Sequence, residues 1–209
     1  MISSCVLNRN STICIVAFLC FFDVIYSQVQ LTTRLDTTLM NELAIIKKAD
    51  QEPRNQLLTI ASKKERAILF KKLKETDSIH LTKIDSVIRI HGYPGKSKVG
   101  IKLCNVPFII IQHGDLPILE KYYPIIEQAV NANELEKENL ALLIDRIKYY
   151  KKENQIYGSQ IITSRKDGKH TLYPIEDEFN VNKRRLEMGM DSLEVYCRRF
   201  KIQYVAPAK

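Results

Sequence analysis

The segment Asp145–Gln160, DRIKYYKKENQIYGSQ, holds two acids, two glutamines, three tyrosines and a glycine within sixteen residues, with Arg146 beside Asp145. Adjacent residues on a helix diverge by about 100°, so Asp145 and Arg146 point apart. Asp145 lies one turn from Leu142 and Tyr149, at the border of an apolar stripe. A carboxylate partly buried there needs donors, either an arginine or backbone N–H groups. Gln155 and Gln160 bracket Tyr157-Gly158. Their amides can satisfy open backbone groups at a helix end, or they can read the hydrogen-bonding edge of a ligand. The structural role is the favoured one, because ion-pair networks cluster polar residues as readily as ligand sites do.

His113 follows an apolar run and precedes Gly114-Asp115. An imidazole emerging from a buried segment is suited to general-base work near neutral pH, with Asp115 or Asp145 to orient it. Equally, His113 and Asp115 together suit the cap of the following helix. Arg184 and Arg185 stand near a helix start, where the dipole favours acids. They therefore serve a tertiary purpose, pairing with Asp145 or Asp177 in preference to binding an anion. His80, His91 and His170 have no ligand-like spacing and read as solvent-facing. No metal site, cofactor motif, phosphate loop or nucleophile elbow is present. In GYPGKSKVG the glycine spacing upstream of Gly-Lys-Ser is wrong for a phosphate loop.

The elements that must position these residues read as mainly helical. Gly and Pro number 7 each and Trp is absent. Leu39, Leu43 and Ile46 recur at helical spacing before a break or kink expected at Pro53. A basic stretch follows from Lys63, and a further helix with Ile84, Val87 and Ile88 on one face stops at Gly92 and Pro94. Val106–Ile111 fits a buried strand or a buried helix segment. Asp115 caps the next helix, which Pro124 restarts. Leu140, Leu143, Ile144 and Ile147 face inward on the strongest helix. SQIITSRKDGKHTLYPIED reads as a small β-hairpin about Asp167-Gly168. Two short helices finish the chain, the second opening with an Asp191/Glu194 capping box.

The ends and totals bound the setting. Thr12–Phe22 is a compact apolar run, preceded by a short polar segment and followed by small Ser27. This is the layout of a signal peptide over 1–27, and the run is too short to span a bilayer. The expectation is a single domain over 28–209 in a secreted or periplasmic protein of the cell envelope. No transmembrane span is expected in that mature chain. Cleavage leaves Cys104 and Cys197, which read as buried free thiols in preference to a disulfide. The net charge of +8 is dispersed among acids, so sequence-specific nucleic-acid binding is not expected.

The ordered set Asp50-Gln51-x-x-Arg54, GYPGKSKVG, QHGD, DRI, QIYGSQ, PIED and NVNKRRLEMG resembles a bacterial family catalogued as a domain of unknown function. The resemblance spans roughly Leu39 to Tyr196. That family has Asp-x-x-Asn before its GYP segment, and here His80 stands at the Asn position of Asp77-x-x-His80. The resemblance supplies boundaries and candidate positions but no reaction.

Two functions are compatible with these residues. One is a binding or interaction module for an unknown ligand or protein partner. Its polar groove would be formed by Arg146, Gln155, Tyr157, Gln160, Arg184 and Arg185 beside the QHGD turn. The other is a metal-independent hydrolase or lyase with His113 as base, Asp145 as acid or orienter, and an arginine holding an anionic substrate.

Overall fold

The computed structural model describes residues 35–207, apart from 58 and 165. The segment 1–27, read from the sequence as a signal peptide, lies outside the described residues. The described residues are 62% helical, with eight α-helices and one two-stranded antiparallel hairpin near the C-terminus. The expected mainly helical class is therefore the observed one.

Helix α1 (Thr37–Leu57) buries Leu39, Leu43, Ile46 and Asp50 along one face. Of the break or kink expected at Pro53, the break does not occur: the helix runs through it. Proline removes one ladder hydrogen bond. Here the chain is held on both sides: Ile46 and Asp50 are buried before it, and Arg54 after it binds Asp50. Helix α2 (Lys63–His91) is likewise one 29-residue helix, where two were expected. Ser62 caps its start by accepting from the Glu65 N–H, and Gly92 at φ 70° ends it. Only glycine enters that backbone region without strain. Leu73, Ile84, Val87 and Ile88 form its buried stripe, which packs on α1.

A short helix, α3 (Lys96–Val99), leads to α4 (Val106–Ile111). The six-residue apolar run is thus a helix, not a strand. Val106, Pro107, Phe108, Ile110 and Ile111 are all buried, so every side of α4 meets the core. α4 packs against α1, α2 and the next helix, α5 (Leu116–Asn131). Asp115 caps α5, its Oδ1 accepting from the Ile118 N–H at 3.3 Å. Pro124 lies within α5 without restarting it. Helix α6 (Lys137–Tyr150) packs along α5 and buries Leu140 and Leu143, with Ile144 and Ile147 half-buried against the same core. Each buried Leu or Ile contributes about 1.5–3 kcal/mol relative to exposure.

Strands β1 (Ile161–Thr163) and β2 (His170–Leu172) pair in the register Ile161↔Leu172, Ile162↔Thr171, Thr163↔His170. Gly168 at φ 72° makes the turn. A 3₁₀ turn, Glu178–Asn180, leads into α7 (Val181–Glu187), and α8 (Leu193–Arg198) follows. The cap of α8 is Ser192, which accepts from the Val195 N–H, and not the expected Asp191. Glu194 instead accepts from the Asn182 amide at 3.0 Å. Val181, Leu193 and Cys197 make a small second core under the hairpin. Cys104 and Cys197 are both buried and free, as expected, and belong to the two different cores.

Candidate functional site

Asp145 stands on α6 between the buried Ala141 and the α6 C-terminus, and its side chain is fully enclosed. Its Oδ1 accepts the N–H of Ile156 at 2.7 Å and of Tyr157 at 3.0 Å. Its Oδ2 accepts the N–H of Ser159 at 2.9 Å. The loop after α6 therefore closes around a carboxylate that supplies acceptors to three otherwise unpaired donors. Gln155, also fully buried, completes the closure. Its Nε2 donates to the carbonyls of Tyr173 and Gln160, and its Oε1 accepts the Gln160 N–H at 2.7 Å. The Gln160 side chain reaches Ser159 Oγ at 3.0 Å.

The two arginines of α7 bind the outer side of the same loop. Arg184 donates to the Ile156 carbonyl and pairs with Asp177 at 3.2 Å. Arg185, only 1% exposed, donates to the carbonyls of Tyr157 and Asp191, both at 2.6 Å, and lies 5.0 Å from the Tyr196 ring centroid. Burial pushes its guanidinium pKa down, and the nearby Tyr196 and Asp145 oppose that. Tyr196 closes the set, donating to the Ser159 carbonyl at 2.7 Å. Arg146 diverges, as the helical angle requires, and donates to the Gln112 carbonyl at 3.1 Å. It ties α6 to the QHGD turn.

Asp145, Gln155, Tyr157, Gln160, Arg184 and Arg185 thus meet, but around one another's backbone. Among the described residues, no arginine pairs with the Asp145 carboxylate. The arrangement of His113 with Asp145 as its acid is also not what the structure contains, because Asp145 spends both oxygens on the loop. The acid beside His113 is Asp50.

Asp50 is 1% exposed, in the last buried turn of α1. Arg54, one turn on, donates to it from Nε at 3.2 Å and from Nη2 at 3.1 Å, and Gln51 Nε2 lies 2.6 Å from Oδ2. Arg54 Nη2 also binds Asp77 of α2. Two imidazoles flank the same carboxylate. His113 Nε2 is 3.7 Å from Oδ2, and His80 Nδ1 is 3.8 Å from Oδ1. Both nitrogens are buried and have no hydrogen-bond partner. His80 is buried, a correction to its expected exposure, whereas His91 and His170 are exposed. Burial by itself raises the Asp50 pKa, but His113, Arg54 and Gln51 together outweigh it and hold the carboxyl well below the usual range. The carboxylate is therefore ionised at any physiological pH.

A cavity of about 430 Å³ adjoins this cluster. His113, Asp77, Ser78, Lys74 and Asp115 give it a polar lining, with apolar Ile110 and Ile118. Gly114 lies against it. A Cβ there would sit 2.5 Å from the Ile118 side chain, so the turn admits no side chain at this position. A wider groove of about 870 Å³ between the start of α6 and the end of α7 has no histidine in its walls. Among the described residues, no group of three or more His, Cys, Asp or Glu side chains is placed to hold a metal ion. No described helix is long and apolar enough to cross a membrane.

Of the residues singled out in the sequence for chemistry, only His113 reaches a cavity with a buried titratable partner. Asp50, Arg54, Asp77 and His80 were not assigned to the site. Their signal was the spacing: Asp50/Arg54 are four apart and Asp77/His80 three apart, so each pair shares one helix face.

A search of curated proteins and a search of solved structures each found no match. The model of a family of unknown function, DUF6624, matches residues 37–209. That match takes in every element from α1 to α8, and the chain belongs to this family.

Proposed function

We propose that the cavity beside His113 is an acid–base site for hydrolysis or elimination on a small anionic substrate. The observation that supports it is the His113 ring, which lines the cavity and sets Nε2 3.7 Å from the buried carboxylate of Asp50. A proton on Nε2 is favoured by that negative charge, which leaves Nδ1 as the basic nitrogen. Asp50 is held by Arg54 and Gln51, so it orients the imidazole and balances the charge that forms when the ring takes a proton. The separation exceeds hydrogen-bond length, as is common before a substrate tightens such a contact. Lys74 supplies a cation at the wall for an anionic group. The Asp145 loop, in this reading, is the scaffold: through Arg146 it holds the carbonyl of Gln112, next to His113.

The setting proposed is outside the cytoplasm, after removal of residues 1–27. This part rests on the N-terminal sequence layout alone.

Activated carboxylic esters, phosphomonoesters and β-substituted carboxylates form the substrate panel that tests the reaction class. Turnover should be present in the wild type and fall about 100-fold or more in His113→Gln, the usual contribution of a general base. A wild type that turns over nothing on the panel, or a His113→Gln variant that keeps the rate, sinks the proposal.

A further inference from the structure

The longest helix, α2, carries an unpartnered exposed face beside its buried stripe. Ile68, Ile79 and Ile90 recur at every eleventh residue and are 63%, 56% and 66% exposed. Eleven residues turn a helix by about 20° more than three full turns. The three isoleucines therefore form one nearly straight row about 33 Å long. Singly exposed apolar residues are ordinary, but an aligned row along one helix is the pattern of a surface that packs on something. Between the isoleucines on the same face lie Lys72, Glu75, Lys83 and Ser86. Lys72, Glu75 and Lys83 are exposed and Ser86 is half-exposed. The ion pairs of α2 use Asp77 and Asp85. Among the described residues, Lys72, Glu75 and Lys83 have no ion-pair partner.

We propose that this face is a two-fold interface in which α2 packs antiparallel against α2 of a second copy of the chain, centred on Ile79. The order of the side chains supports this occupant and this direction. In an antiparallel pair centred on Ile79, residues equally distant from it on opposite sides face each other. Ile79 then meets its own copy, and Ile68 meets Ile90. Glu75 meets Lys83, and because the interface is self-complementary that ion pair occurs twice. Lys72 meets Ser86, which carries no charge. A parallel pair would instead set Lys72, Glu75 and Lys83 each against its own copy, three like-charge contacts that oppose assembly. The face thus matches itself in only one of the two directions. Its sign pattern is also wrong for an anionic surface, since Glu75 lies mid-row between the lysines.

The interface is independent of the His113 cavity, which uses a different face of α2, that of Lys74, Asp77 and Leu81. Its substitutions therefore leave the acid–base site untouched.

Sedimentation equilibrium of the full chain at micromolar concentration tests the proposal. The wild type should sediment at twice the 24.2 kDa of one chain. Ile79→Lys sets two like charges together at the two-fold axis and should give a monomer. Glu75→Lys and Lys83→Glu should each weaken dimerisation about tenfold or more, since each places like charges together twice. The double variant Glu75→Lys/Lys83→Glu restores opposite charges and should recover the wild-type constant. All three positions are on the surface, and circular dichroism confirms that each variant is folded. Several outcomes overturn the proposal: a monomeric wild type, including one whose α2 face binds anionic phospholipid vesicles instead; a dimer that survives Ile79→Lys; or single charge reversals that the double variant does not rescue.

Discussion

Asp50 on α1 and His113 in the turn after α4 are far apart in the chain, yet the buried carboxylate of one lies 3.7 Å from the buried imidazole nitrogen of the other. Three elements make that possible. α1 carries Asp50 inward, α4 brings the chain into the core, and the turn after α4 points His113 back toward α1. Arg54 then fastens the carboxylate to Asp77 on α2. The site is thus built where α1, α2 and the turn after α4 meet.

Stability should depend on the ionisation of Asp50. Its folded pKa lies below the ordinary value of 3.8, because the nearby His113 and the hydrogen bonds from Arg54 and Gln51 outweigh burial. The folded state then binds fewer protons than the unfolded one as pH falls through 4. The stabilisation is complete above the unfolded pKa and is lost progressively below it. Thermal unfolding of the wild type should show a steep decline in Tm from about pH 5 downward. Asp50→Asn should lower Tm at pH 7, by an amount corresponding to about 3 kcal/mol for a buried pair losing one partner, and should flatten the acid slope. An unchanged slope in the variant would show that Asp50 does not carry it.

Local features were legible in the sequence and distant ones were not. Asp115 as a cap, Gly92 as a stop, the Asp167-Gly168 turn and the inward stripes of α1 and α6 depend on neighbouring residues, which a linear reading contains. The proline positions misled because a helix held by tertiary contacts on both sides tolerates Pro53 and Pro124. Val106–Ile111 had no readable period because α4 is buried all round. His113 was recognised from its position after that run, but its partner could not be. The choice of Asp50 over Asp145 is made by how α1 meets the turn after α4, and nothing local to either aspartate encodes it.

Gly158 should not tolerate alanine. It sits at φ 73°, and a Cβ there would meet Leu193 Cδ1 at 2.8 Å and Ile175 Cδ1 at 3.1 Å. Backbone strain and the clash with the small second core act together, so Gly158→Ala should cost about 2 kcal/mol or more. Urea unfolding at constant slope measures it. Gly168→Ala is the control: it has a similar φ of 72° with open space around it, and should cost less.

Export is the subject of another expected outcome. The N-terminal layout places cleavage after about 27 residues, within ordinary signal-peptide length. Intact-mass measurement on protein recovered from the native cell envelope should show the shortened chain. A full-length species confined to the cytoplasm would contradict the reading.

The Asp145 loop separates a structural knot from a ligand groove by its energetics. Asp145 and Arg185 do not touch, but both hold the segment Ile156–Ser159, one through its N–H groups and the other through the Tyr157 carbonyl. In Asp145→Asn one carboxylate oxygen becomes an NH₂ donor facing backbone donors, so at least one buried N–H loses its acceptor. The expected loss is about 3 kcal/mol, within the range for breaking a buried charged network. Arg185→Ala removes the donor to the carbonyls of Tyr157 and Asp191 and the packing on Tyr196, with a loss of similar size. Once either change has released the loop, the second has less to disrupt. The double variant should therefore fall short of the sum by about 1 kcal/mol or more. Chemical unfolding of the two single variants and the double measures all three values. Additive losses would mean that the two side chains act on separate parts of the fold. Near-wild-type stability in all three variants would instead identify the loop as a surface kept for a ligand, and would move the search for function from Asp50 and His113 to Asp145.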